Sequence, residues 1–170
     1  MNRLIIGLLV SALALQPPPA LATETPDPEL KEHLFLVDVI EQLGVKVNFG
    51  GAECRSKPGL YGNYATNGSA MNLCEVGDRE ERLDTLRHEA WHLRQDLATE
   101  CSLADLTPLQ PVFGNFGPGR VFVEMAAKHY DKEHVAYEAE AAWAAHTFDA
   151  TAIANLIIQR GRECGAKFKF

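Results

Sequence analysis

Asp78-Arg79-Glu80-Glu81-Arg82-Leu83-Asp84-Thr85-Leu86-Arg87-His88-Glu89-Ala90-Trp91-His92-Leu93-Arg94-Gln95-Asp96-Leu97 is the stretch on which the reading turns. Asp78 is a residue type that caps helix N-termini, and Glu80 and Glu81 put negative charge in the first turn, where the helix dipole favours it. Strong helix formers continue to Leu97, so the segment predicts one long helix. Leu83, Leu86, Ala90, Leu93 and Leu97 recur at helical spacing and form an apolar stripe that can anchor it in a core. Thr85, His88, Glu89, His92 and Asp96 lie on another face. Histidines four apart on a helix point the same way, so His88 and His92 can grip one zinc ion with the acid Glu89 beside it.

A catalytic zinc usually takes three protein ligands and keeps one position for water. The extended form of this motif, with a glycine and a third histidine on the same chain stretch, is absent, because Gln95 and Ala98 stand at those positions. The third ligand must come from a distant element. Glu133 to Phe148 reads as a second, alanine-rich helix whose small residues would let it lie close to the first. Glu138 is the expected third ligand, with Glu140 as its competitor.

These two elements, His88-Glu89-Ala90-Trp91-His92 and Glu138-Ala139-Glu140-Ala141-Ala142, resemble the gluzincin metallopeptidases, in particular the small members called minigluzincins. That family pairs H-E-x-x-H with a later E-x-x-A; Ala141 meets the alanine position, and Ala142 stands where Asp or Asn is more usual. The layout match covers roughly residues 45–148, and only the two short motifs in it are specific. The resemblance implies an α+β, zincin-like fold with a small antiparallel or mixed sheet ahead of the active-site helix and a glutamate-bearing helix after it. It also implies a zinc-dependent peptide-bond hydrolase acting on a peptide or protein substrate. Val45 to Phe49, Leu60 to Tyr64 and Ser69 to Leu73 read as the three strands, with Asn67-Gly68 as a tight-turn signal between the last two. The family layout would make Ser69 to Leu73 the edge strand that receives an extended peptide.

The expected roles follow from that chemistry. Glu89 is the proton acceptor, and His134, one turn before Glu138, is the first candidate to stabilise a developing oxyanion, with Tyr137, His129 and Tyr130 left open. Asp96, one turn after His92, is expected to orient a ligand imidazole. Trp91 and Trp143 are expected in the core or the cleft wall. Two other readings share part of the pattern: a zinc-binding, non-catalytic interaction module, and a deformylase-type site in which Cys74 would be a ligand.

The N-terminus bears on location. Arg3, the apolar run Leu4 to Leu15 and the small-residue pattern Ala20-Leu21-Ala22 read as a signal peptide over 1–22, leaving 23–170 as one domain that is secreted or periplasmic. The apolar run is too short to span a bilayer comfortably. Four cysteines, an even number, agree with export. Cys54–Cys74 and Cys101–Cys164 are the favoured pairs, because each would staple neighbouring elements and leave no free thiol.

Charge excludes one class of partner. The chain carries −7, and −8 without Arg3, so nucleic-acid binding is disfavoured. No later segment is apolar enough to span a membrane, and a monomer is expected. The remaining segments read as a helix over Pro28 to Leu43 between cap Asp27 and stop Gly44, a helix over Arg120 to Tyr130, and a last helix over about Thr151 to Arg162. Thr107 to Arg120 reads as a long Gly-Pro loop.

Overall fold

The computed structural model describes residues 27–65, 68–101 and 117–170. The stretch expected as a signal peptide, residues 1–22, and most of the expected Gly-Pro loop lie outside the described residues. Among the described residues, six helices and a small sheet follow one another as α1 (Pro28–Gln42), β1 (Lys46–Phe49), α2 (Ala52–Ser56), β2 (Gly62–Tyr64), β3 (Ala70–Leu73), α3 (Arg79–Glu100), α4 (Arg120–Ala126), α5 (Val135–Thr147) and α6 (Ala150–Glu163). The α+β class and the small sheet ahead of the motif-bearing helix are as expected, and the sheet is of the mixed kind.

The expected caps form. Asp27 accepts from the Glu29 N–H with Pro28 in the first turn of α1, and Gly44 follows the helix at φ 87°. At α3, Asp78 accepts from the Glu81 N–H at 3.0 Å while the Glu81 carboxylate accepts from the Asp78 N–H at 2.8 Å, a reciprocal capping box. At the far end of α3, Arg160 of α6 donates to the carbonyls of Leu97 and Ala98, in the last turn, where a helix leaves carbonyls to find partners outside it. The expected helix over Arg120 to Tyr130 stops early. Lys128 and His129 N–H groups donate three residues back, to Met125 and Ala126, and these tight bonds end the α ladder.

One expectation is overturned by the sheet. Its order is β1-β3-β2, with β1 parallel and β2 antiparallel to β3, so Ser69 to Leu73 supplies the central strand and not an edge. The reason is the pairing of β1 with β3, which takes up the side of β3 that a simple hairpin would leave open. β2 is the edge nearer α3. Gly68, at φ 63°, donates to the Ala65 carbonyl to close the β2–β3 connection, while Asn67 lies outside the described residues. Asn48, Asn72 and Asn63 face each other in register and form an amide row across all three strands, at 3.0 and 3.1 Å.

α3 runs through the middle of the fold. Leu86, Ala90, Leu93 and Leu97 join Leu36, Val39 and Ile40 of α1 and Ile153 and Ile157 of α6 in one core cluster, with Val47, Met71 and Leu73 from the sheet. Leu83 is only partly buried. The two favoured disulfides are present: Cys54–Cys74 ties α2 to the end of β3, and Cys101–Cys164 joins the C-terminal ends of α3 and α6. Each closes a loop in the unfolded chain, of 20 and 63 residues' separation, and so removes unfolded-state entropy. Cys74, being bonded to Cys54, has no thiolate to offer a metal. No helix among the described residues is long and apolar enough to cross a membrane.

Candidate metal centre

Two helices bring the candidate ligands together. α5 lies against α3 through buried Ala141 and Ala144, small enough to let the backbones approach, and Trp91 of α3 meets Trp143 edge-on at 6.4 Å and stacks on Phe148 at 5.6 Å. This packing sets the first turn of α5 opposite the middle of α3, so that Glu138 faces His88 and His92 across 50 and 46 residues of sequence. His88 Nε2 and His92 Nε2 are 3.1 Å apart, and Glu138 Oε2 lies 3.2 Å from the first and 3.6 Å from the second.

These spacings have a physical meaning. Ligand atoms on a tetrahedral divalent ion at roughly 2.1 Å lie about 3.4 Å from one another. The triangle formed by His88, His92 and Glu138 has that size, and these three residues could hold a metal ion. Two imidazole nitrogens with their lone pairs turned on each other would repel, so a positive charge, proton or metal, belongs among the three atoms.

The electrostatics agree. Burial is the largest influence on Glu138 and opposes its charge, but hydrogen bonds and charge from His88 and His92 more than offset it and hold the carboxyl well below the usual carboxylate range. Burial likewise opposes charge on His92, yet the Glu138 hydrogen bond and charge, the Glu89 charge and the Gln95 contact raise its pKa overall.

Glu89 is nearly buried and lines an open cleft of about 470 Å³ together with His88. One wall of the cleft is the chain leading into β2, Leu60 to Gly62, and the other carries Phe122, Met125 and Tyr130. Gly62 is needed where it stands: a Cβ there would fall 2.6 Å from Thr85 Cγ2 and 3.2 Å from Glu89 Cγ, so the strand could not lie this close to α3.

Glu140 takes no part in the ligand triangle. It is fully buried and accepts from Gln95 Nε2 at 3.0 Å. His134 is the exposed N-cap residue of α5, and it is not among the residues that line the cleft. Tyr130 is: burial first, then the nearby Glu138 and Glu89 carboxylates, push the pKa of its phenol up to about 12. Tyr137 stacks on the His92 ring at 4.3 Å instead of facing the cleft, and its pKa is raised by burial first and then by Asp96 and Glu138.

The residue expected to orient a ligand histidine differs from the one found. Gln95 Oε1 lies 2.8 Å from His92 Nδ1, whereas Asp96, fully buried, faces the Tyr64 phenol, whose pKa burial and the Asp96 charge both raise. Positions three and four residues beyond His92 share its helix face, so spacing alone could not separate them. Set against known protein families, characterised proteins and solved structures, the chain has no match.

Proposed function

We propose that the protein is an extracytoplasmic zinc metallopeptidase of gluzincin type, secreted or periplasmic, in which His88, His92 and Glu138 hold the metal. The observation that carries this reading is the convergence of two imidazoles and a carboxylate at zinc-ligand spacing beside a second carboxylate, Glu89, which with His88 lines an open cleft. A donor set of two histidines and one glutamate suits zinc, and leaves a coordination position for water.

When bound there, zinc supplies a Lewis acid that makes a water molecule more acidic and polarises a substrate carbonyl. Glu89 takes up the proton and delivers it to the departing amine. Tyr130, still protonated at neutral pH, donates to the oxygen that gains charge as the carbonyl is attacked. Its position in the cleft wall favours it over His134, which is not among the residues lining the cleft. The free edge of β2, at the cleft wall, is suited to accept an extended peptide by strand addition, taking the role expected of Ser69 to Leu73. The two disulfides support a location outside the reducing cytoplasm.

Glu89→Gln tests the reading. The variant should bind one zinc and lose turnover of a mixed peptide pool, followed by mass spectrometry, by about 10²-fold or more. Full turnover by the variant would remove Glu89 from the reaction. A zinc-loaded wild type that cleaves no peptide in the pool would instead favour the non-catalytic zinc-binding module.

A further inference from the structure

Gln95 sits entirely out of contact with water, and each of its polar atoms has a partner. Its Nε2 donates to the Tyr137 carbonyl at 3.1 Å and to Glu140 Oε2 at 3.0 Å. A backbone carbonyl can only accept, so the amide has one workable orientation: NH₂ toward α5, oxygen toward His92. The oxygen in turn can only accept, and the atom it meets at 2.8 Å is His92 Nδ1. His92 must therefore carry a hydrogen on Nδ1.

That hydrogen decides how the imidazole can bind. In its neutral form His92 keeps its lone pair on Nε2, the atom 3.1 Å from His88 Nε2 and 3.6 Å from Glu138. Glu140 is the anchor of the arrangement. It belongs to the same helix as Glu138, and the charge of Arg94 acts together with it; Arg94 in turn lies 4.5 Å over the Trp91 ring. The α3–α5 contact thus supplies a metal-directed carboxylate at 138 and, two residues on, a carboxylate that orients the amide. Asp96 cannot replace Gln95, since it faces Tyr64.

We propose that Gln95, locked by Glu140 and the Tyr137 carbonyl, is a positioning residue that fixes His92 as its Nδ1–H tautomer and so makes Nε2 available to the metal. The inference rests on the metal-site reading above, but it also predicts a property of the metal-free protein.

The test combines zinc affinity with nitrogen NMR of the His92 ring. Gln95→Leu removes the acceptor and should weaken zinc binding about 10- to 100-fold. A merely structural role for Gln95 would leave the His92 tautomer unmoved, so the nitrogen NMR reads what affinity alone would not. In metal-free wild type at alkaline pH, His92 should show the Nδ1–H pattern, and Gln95→Leu should show a mixture of tautomers. Equal zinc affinity in wild type and Gln95→Leu, or an Nε2–H pattern in the wild type, would each overturn the proposal. Absence of zinc binding by the wild type, with the Nδ1–H pattern intact, would count against the metal reading and leave the tautomer lock standing.

Discussion

The two faces of α3 are equally withdrawn from water and chemically opposite. On one, Leu86, Ala90, Leu93 and Leu97 are at most 4% exposed; on the other, Glu89, His92, Gln95 and Asp96 are at most 6% exposed. Each buried leucine contributes about 1.5–3 kcal/mol by leaving water, whereas each buried polar group left without a partner costs about 1–3 kcal/mol. The apolar face can therefore be filled by shape alone. The polar face has to be closed group by group, which is why His92 meets Gln95 and Glu138, and Gln95 meets Glu140. The lesson is that one helix can serve as the core of the fold and the wall of a site, provided each face is satisfied by its own partners.

If the faces are separable, damage to one should leave the other intact. Leu93→Ala opens a cavity in the apolar face and should destabilise the protein by about 2–5 kcal/mol in urea unfolding, with zinc affinity of the folded protein unchanged. A parallel loss of zinc affinity would break the separation. Gly62→Ala acts at the seam between sheet and site. Its Cβ would overlap Thr85 and crowd Glu89, so a cost of about 1–3 kcal/mol and displacement of the β2 edge are expected, read as a lower urea midpoint together with weaker peptide turnover. Unchanged values would mean that β2 does not need to lie so near α3.

The same contrast explains what the chain made legible. Local signals carried far: the Asp78–Glu81 capping box, Pro28 after Asp27, and Gly44 each mark a helix end through chemistry contained within a few residues. The convergence of His88, His92 and Glu138 was legible because spacing four apart aligns His88 with His92, and because Glu138 stands among small residues that allow close helix contact. The cysteine pairs followed from which elements they flank. Strand order was not legible, since the parallel pairing of β1 with β3 joins residues 24 apart and leaves no mark on either strand. The role of Gln95 was not legible either. Glu140, 45 residues away, makes it the orienting group, and only the packing of α5 brings that carboxylate there.

A smaller and more specific effect separates the faces by pH, to which the apolar one is indifferent. In the metal-free protein the raised pKa of His92 contributes stability that is complete below its unfolded value of 6.5 and is lost as pH rises through the folded value. The lowered pKa of Glu138 contributes stability present above its unfolded value of 4.5 and lost as pH falls through the folded value. The pair thus helps most between those two unfolded values. Zinc reverses the alkaline side, because the metal competes with the proton for His92, so the stabilisation that zinc brings should grow as pH rises through the folded His92 pKa. Melting temperatures recorded against pH with and without zinc check this; parallel curves would place the titrating groups away from the metal.

The account depends most on Glu138 completing a three-ligand site. Zinc content after equilibrium dialysis, measured side by side for wild type and Glu138→Ala, tests it directly. One equivalent in the wild type and none retained by the variant is the predicted result. Equal retention by both, or none by either, would contradict it.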